Sequence, residues 1–176
     1  MGSSGSSESR STGGDYSGKL YFDPEADKDI GTHYYIKDDE LIEKIRGIID
    51  INEPILEIRI YKNPLSNAQL TKFYHAFILF ETKDWWWTIE KNSEGVTVQR
   101  CKYIEYVREK YRRKDRLTSV DLIKKVRGSG TVLDLIRIVY KKDLLGSKYN
   151  VLENNCQTFA SIIFNNCNGD GASWYP

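Results

Sequence analysis

The segment YHAFILFETKDWWWTIEKNSEGVTVQRCKYI, residues 74–104, decides the fold. Its three runs, 74–82, 85–92 and 96–104, are rich in aromatic and β-branched residues and are separated by short polar turns. Runs of this composition, joined by two or three turn residues, are typical of strands connected as hairpins. The segment therefore predicts an antiparallel β-meander.

The segments on either side of the meander add a strand and several helices. PILEIRIY (54–61) alternates in polarity and predicts a strand, while DDELIEKIRGIID (38–50) places apolar residues at helical spacing behind acidic ones and predicts a helix. Helical spacing also marks four later stretches: 103–116, 118–127, 131–140 and 154–165. The predicted fold class is α+β, with the antiparallel meander packed against helices.

The chain of 176 residues has the length of one compact domain with an N-terminal appendage. Residues 1–18 are mostly Ser, Gly and Thr, and they predict a disordered tail because they hold almost no apolar surface to bury. Residues 19–53 are interpreted as an N-terminal extension with one helix, and residues 54–176 as the main domain.

Charge and cysteine content narrow the function classes. The 26 Lys and Arg residues nearly balance the 25 Asp and Glu residues, so we do not expect a nucleic-acid partner. No run approaches the roughly 18 apolar residues of a membrane span, and we expect a soluble, cytoplasmic protein. The three cysteines lack the Cys-x-x-Cys spacing of a zinc site, so no metal or other cofactor is expected, and one thiol remains available as a nucleophile.

Cys156 is the candidate nucleophile because it opens the last predicted helix. The N-terminus of a helix offers free backbone N–H groups and the positive end of the helix dipole, which stabilise a thiolate or a developing oxyanion. A lone cysteine in a helix is also commonly a buried core residue. The position alone leaves both roles open.

A catalytic cysteine needs a base, and the chain contains only two histidines, His33 and His75. His75 begins a predicted strand, where a rigid sheet fixes the direction of the imidazole. His33 lies in an irregular Gly-Thr-His-Tyr-Tyr stretch. We therefore expect His75 to be the base.

The segment YNVLENNCQTFASIIF (149–164) resembles the lecithin:retinol acyltransferase-like family and its phospholipase/acyltransferase relatives, which have a circularly permuted papain-like fold of the NlpC type. Tyr149, Asn155, Cys156 and Phe159 match the spacing of the family pattern. The resemblance implies a histidine upstream of the cysteine at the start of a strand, where His75 stands. It further implies a permuted papain-like domain over residues 54–176.

The sequence also departs from that family. Gln157 and Thr158 stand where the family has Glu-His, and the family's second histidine, which orients the first, is missing. Tyr149, Asn155 and Gln157 are the candidate residues for contact with the substrate or the oxyanion.

Hairpin register supplies a substitute for the second histidine. If residues 83–84 form a two-residue turn, cross-strand partners sum to 167, and Phe77 pairs with Glu90 and His75 with Asn92 on one face of the sheet. A carboxylate at Glu90 can accept a hydrogen bond from the imidazole and stabilise its charged form. Glu90 is therefore the predicted third member of the site, Asn92 is the fallback, and a solvated surface carboxylate is the alternative. On this basis, Glu90→Gln should reduce turnover strongly and change stability little.

The resemblance implies a thiol hydrolase or acyltransferase that forms an acyl-enzyme at Cys156, with a lipid or an acylated small molecule as substrate. Two alternatives stay open. The first is a permuted cysteine isopeptidase, a thiol protease that acts on proteins modified by ubiquitin-like chains. The second is an inactive binding module with the same fold.

Two features bear on the membrane. The opening MGSSGS fits the N-myristoylation pattern at Gly2, although a Gly/Ser opening also resembles an expression tag. The basic run 108–116 fits either a solvated helix face or contact with anionic lipid headgroups. Peripheral membrane attachment is therefore an alternative to a purely cytoplasmic location.

Overall fold

The structure is a computed structural model that describes residues 16–64, 74–116, 118–150 and 155–176. Within these ranges the fold is α+β, as predicted, with a seven-stranded sheet, a two-stranded hairpin and four α-helices. The strands are β1 (Leu20–Asp23), β2 (Tyr34–Ile36), β3 (Glu57–Pro64), β4 (Tyr74–Glu81), β5 (Trp86–Asn92), β6 (Gly95–Cys101), β7 (Lys110–Tyr111), β8 (Lys114–Asp115) and β9 (Asp121–Arg127). The helices are α1 (Leu41–Ile48), α2 (Ile104–Arg108), α3 (Val132–Lys141) and α4 (Cys156–Cys167).

The large sheet has the strand order β2-β1-β6-β5-β4-β3-β9, and its neighbours are antiparallel except for the parallel pair β1 and β6. The predicted meander is confirmed as β4, β5 and β6. Strands β1 and β2 were not predicted, because they are only four and three residues long and lack clear alternation. They join the same sheet as the later strands.

The predicted helices over 103–116 and 118–127 are wrong in most of their length. Only α2 is helical, and the chain then turns back as the hairpin of β7 and β8, where Arg112 and Arg113 adopt positive φ angles of 47° and 68°. Residues 121–127 form β9 along the edge of β3. Pairing with an available sheet edge overrides the helical spacing there. The predicted helices around α1, α3 and α4 are confirmed.

The sheet buries both of its faces. One face carries Ile78 and Phe80 into the main core beneath α1, α3 and α4, and the other carries Phe77 and Leu79 into a smaller cluster beside α2. Residues 19–53 also belong to the main core, through six fully buried side chains: Leu20, Phe22, Ile36, Leu41, Ile45 and Ile51. Most of the predicted disordered tail, residues 1–15, lies outside the described residues.

The register of the β4–β5 hairpin follows the predicted sum of 167. The backbone N–H of Thr82 donates to the Trp85 carbonyl at 2.9 Å across the two-residue turn, and the ladder runs from Glu81–Trp86 to Ile78–Ile89. The predicted pairs Phe77–Glu90 and His75–Asn92 are wrong as ladder pairs, because the two strands diverge before reaching them.

This divergence opens the sheet at the start of β4. Strand β4 pairs with β3 over all eight residues, from Tyr74 to Glu81, but with β5 only from Ile78 onward. We call the space between 74–77 and 90–92 the β4–β5 opening. Helix α4 packs against both strands. The backbone groups of β4 that would face β5 are therefore available to α4.

Candidate active site

Asn155 fixes the first turn of α4 and hence the position of Cys156. Its backbone is extended, and its Oδ1 accepts hydrogen bonds from the backbone N–H groups of Gln157 and Thr158, each at 2.9 Å. A cap of this type contributes about 1 kcal/mol to helix stability. Asn155, predicted as a substrate or oxyanion contact, is thus placed as the helix cap.

The thiol of Cys156 lies in the β4–β5 opening. It contacts the Tyr74 carbonyl oxygen at 3.8 Å and lies beside the backbone N–H of Ala76, which favours the thiolate. The side chain of Gln157 donates from Nε2 to the same Tyr74 carbonyl at 3.2 Å. Backbone groups that β5 would otherwise pair are therefore used to hold the first turn of α4.

His75 joins Cys156 to Glu90. The imidazole and the Cys156 thiol are close enough to shift each other's pKa, and Nε2 of the ring lies 2.6 Å from Oε2 of Glu90. Since Nε2 is engaged by Glu90, Nδ1 is the ring nitrogen left for the sulfur. The structure thus brings together the three residues predicted to be catalytic. His33 stacks on Tyr21 with ring centroids 5.0 Å apart and takes no part in the site.

Arg116 completes the arrangement, and the sequence interpretation missed it. Its Nη2 lies 2.6 Å from Oε1 of Glu90 and its Nη1 lies 3.1 Å from Oε2. Both side chains are buried, with 5% and 1% exposure. The sequence placed Arg116 on a solvated helix face, and only its position after the β7–β8 hairpin reveals the contact.

The electrostatics favour a thiolate–imidazolium pair. Burial opposes ionisation of Cys156, but the hydrogen bond and charge of His75 outweigh it and lower the pKa of the thiol. Burial likewise opposes the charge on His75, yet the hydrogen bonds with Cys156 and Glu90 raise its pKa to about 9. For Glu90, burial is outweighed by the charge of Arg116 and by His75, and the pKa falls to about 2.

Tyr149 lies against the nucleophile, whereas Asn92 does not. The Tyr149 hydroxyl contacts Sγ of Cys156 at 3.8 Å and lies beside the backbone N–H of that residue. Asn92 donates from Nδ2 to the Tyr111 hydroxyl, and its Oδ1 accepts from the backbone N–H of Glu94 at 2.9 Å. Asn92 therefore shapes the β5–β6 turn and makes no contact with His75.

A cleft of about 550 Å³ adjoins the imidazole. Every side chain that lines it carries a polar group: Asn63, His75, Glu90, Asn92, Glu94, Tyr111, Arg112, Lys114, Asp115 and Arg116. Within the described part of the chain, no cluster of three His, Cys, Asp or Glu residues is arranged to hold a metal ion.

Most of the predicted basic run is engaged in ion pairs. Arg112 contacts Glu94 at 2.8 Å and Arg113 contacts Asp23 at 2.8 Å, in addition to the pair that Arg116 forms. These contacts leave less free positive charge for anionic lipid headgroups. Gly2, the predicted lipidation residue, lies outside the described residues.

We expect Cys156 to react with iodoacetamide at pH 7 roughly 100-fold faster than either other cysteine. Burial raises the pKa of Cys101 to about 11 and that of Cys167 to about 12, whereas the pKa of Cys156 is lowered. The check is peptide mass spectrometry over a time course, and equal labelling of the three thiols would contradict the assignment of the nucleophile.

Comparison of the chain with protein-family models, with curated proteins and with solved structures finds no match. Function is therefore inferred from the geometry of Cys156, His75, Glu90 and Arg116.

Proposed function

We propose that this protein is a thiol hydrolase or acyltransferase that forms an acyl-enzyme on Cys156. One observation carries the proposal: Cys156 at the N-terminus of α4 adjoins His75, whose Nε2 lies 2.6 Å from Oε2 of Glu90. Nucleophile, base and orienting group in this order are the requirement for acyl transfer through a covalent intermediate.

In the first step, the Cys156 thiolate attacks the carbonyl carbon of an ester, thioester or amide. The carbon–sulfur bond forms, and the carbonyl electrons move onto oxygen. When the tetrahedral intermediate collapses, the bond to the leaving group breaks and His75 donates its proton to that group. The products are a thioester at Cys156 and a neutral imidazole.

In the second step, His75 accepts a proton from the incoming acceptor, which attacks the thioester and releases the Cys156 thiolate. Water as acceptor makes the protein a hydrolase, and an amine or a lysophospholipid hydroxyl makes it an acyltransferase. In both steps Glu90 keeps the ring in one orientation and favours the imidazolium.

The oxyanion is assigned to the region of Tyr149. The backbone N–H of Cys156 and the Tyr149 hydroxyl meet beside the sulfur, so a substrate oxygen that displaces the hydroxyl from this N–H would gain two donors. The Gln157 side chain lies on the other side, on the Tyr74 carbonyl. Oxyanion donors of this kind typically contribute a factor on the order of 10²–10³ to turnover.

The proposed architecture is a permuted papain-like domain similar to the lecithin:retinol acyltransferase-like family. Support comes from the match at Tyr149, Asn155, Cys156 and Phe159, and from the order of strand-borne histidine before helix-borne cysteine. Glu90 takes the place of the second histidine of that family.

A second candidate is a thiol protease or isopeptidase that acts on modified proteins, because an isopeptide carbonyl can be attacked by the same thiolate. The cleft beside His75 does not choose between the two, since Cys156 is not among the residues that line it. The third alternative, an inactive binding module, would be favoured by a separation of Cys156 from His75. The two side chains are instead close enough for each to shift the pKa of the other.

The test is a probe panel read by intact-protein mass spectrometry. The probes are 4-nitrophenyl acetate, 4-nitrophenyl decanoate in micelles, and ubiquitin carrying a C-terminal propargylamide. We expect a covalent adduct at Cys156 from at least one probe and none in Cys156→Ala. Adducts only at Cys101 or Cys167, or no adduct from any probe, would contradict the proposal.

Within the described ranges, no helix combines the length and the apolar character needed to cross a bilayer. If the substrate is a lipid, the proposal includes contact with a membrane surface through a myristoylated Gly2. An adduct from 4-nitrophenyl decanoate in micelles would support a lipid substrate.

A further inference from the structure

Arg116 is buried at a position where a cation is costly. Transfer of a charged pair from water into a protein interior carries a penalty of several kcal/mol per ion, which good geometry only offsets. Glu90 alone, buried and beside a neutral imidazole, would take up a proton. Stability alone therefore does not account for the buried Glu90–Arg116 pair.

We infer that Arg116 is a positioning residue of the proposed cysteine site, which clamps the Glu90 carboxylate so that one of its oxygens stays directed at Nε2 of His75. The inference rests on the proposed function and deepens it, since neither the family resemblance nor the hairpin register assigns a role to Arg116.

The clamp is bidentate and leaves the carboxylate no rotational freedom. Oε1 is held by Nη2 at 2.6 Å, and Oε2 is shared between Nη1 at 3.1 Å and His75 Nε2 at 2.6 Å. Two parallel N–H···O bonds fix the plane of a carboxylate, as one lysine ammonium cannot. The Nε2–H of His75 therefore donates its hydrogen bond to an oxygen held in a fixed direction.

The guanidinium is itself fixed by contacts outside the site. Its Nε donates to the Arg108 carbonyl at 3.0 Å, and its carbon lies 4.0 Å from the centre of the Phe77 ring. The backbone N–H of Arg116 also donates to the Glu109 carbonyl at 2.9 Å. Helix α2 and the β7–β8 hairpin are thereby connected to the catalytic histidine through one side chain.

The clamp also sets the charge of Glu90. A nearby guanidinium keeps a buried carboxylate ionised, and an ionised Glu90 is what stabilises the His75 imidazolium. Other titratable or charged groups face this pair from β4, β5, the hairpin and α4: His75, Glu94, Tyr111, Arg112, Lys114, Asp115 and Cys156.

The test is the pH dependence of Cys156 alkylation by iodoacetamide in Arg116→Met. Without the clamp Glu90 takes up a proton at higher pH, and the midpoint of the alkylation profile should move up by about one unit or more. If Arg116 acted only as a nearby positive charge, its removal would favour the imidazolium and move the midpoint down. An unchanged or lowered midpoint overturns the inference.

Arg113→Met is the matched control for stability. Arg113 holds the fully buried Asp23 through two hydrogen bonds, at 2.8 Å and 3.0 Å, away from His75. Arg113→Met should lower the free energy of unfolding, as Arg116→Met does, and should leave the midpoint of the alkylation profile at the wild-type pH. A similar shift in both variants would reduce the role of Arg116 to a general effect on folding.

Arg116→Lys keeps the inference testable if the methionine variant does not fold. The ammonium retains the charge, so the midpoint should stay near wild type, while turnover of 4-nitrophenyl acetate should fall about tenfold because the second hydrogen bond that orients the Glu90 carboxylate is lost. Wild-type turnover would contradict the clamp. Failure of the proposed function itself is separate: it would appear as a wild-type Cys156 no more reactive than Cys101.

Discussion

Replacement of Cys156 or His75 by alanine is expected to lower hydrolysis of an activated ester by a factor on the order of 10⁴ or more, and replacement of both is expected to be no worse than either alone. The reason is that the imidazole lies beside the thiol and lowers its pKa, so the two side chains act in the same step. A thiol without its base is a weak nucleophile, and a base without its thiol has no bond to form.

The measurement is release of 4-nitrophenolate from 4-nitrophenyl acetate by the two single variants and the double variant. Cys101→Ala is the matched control, because Cys101 is a fully buried thiol in the small cluster away from the site. It should retain wild-type turnover. If the losses of the two single variants added up in the double variant, Cys156 and His75 would not act as one unit.

Glu90→Gln is expected to reduce turnover by a factor on the order of 10²–10⁴ and also to lower the free energy of unfolding by about 3–5 kcal/mol. The second effect differs from the sequence-based expectation of little change in stability. Arg116 is the physical reason, since it would be left as a buried cation with no carboxylate opposite it. Urea denaturation and 4-nitrophenyl acetate hydrolysis measure the two effects.

A double replacement separates the two effects. Glu90→Gln combined with Arg116→Met removes the stranded charge, so most of the lost stability should return while turnover stays low. Asn92→Ala serves as the comparison, because Asn92 lies on the same strand but bonds to Tyr111 and to the β5–β6 turn. Wild-type turnover in Glu90→Gln together with a large loss in Asn92→Ala would assign the orienting role to Asn92.

Acid should weaken the ion pair between Glu90 and Arg116 and so destabilise the folded protein. Glu90 has a pKa of about 2 in the folded protein against an ordinary value of 4.5. A depressed carboxyl pKa contributes stability that is fully present above the unfolded value, so this contribution should disappear as the pH falls from about 4.5 toward 2.

Local patterns were sufficient for much of the fold. The β4–β5–β6 meander, the hairpin register and the helices at α1, α3 and α4 follow from period, turn residues and strand composition. They depend on neighbours in sequence, and a single chain displays those neighbours. The positions of Cys156 and His75 followed from the same signals.

The remainder required tertiary contacts. Strand β9 has helical spacing but forms along the free edge of β3, and β1 acquires strand structure between β2 and β6. Arg116 lies 26 residues from Glu90, beyond two turns and a short helix. One signal in the sequence could have indicated the contact. A carboxylate that orients a catalytic histidine inside the protein needs a cation nearby, and residues 108–116 include six cationic side chains.

The parallel pairing of β1 with β6 determines when this part of the sheet can form during synthesis of the chain. Residues 20–23 pair in parallel with residues 96–99, so this pairing can form only after the 72 residues between them, 24–95, have been synthesised. The nucleophile emerges much later, with α4. A nascent chain therefore completes the imidazole-bearing sheet before it can hold an activated thiol, and unfinished polypeptides carry Cys156 only as an ordinary cysteine or not at all.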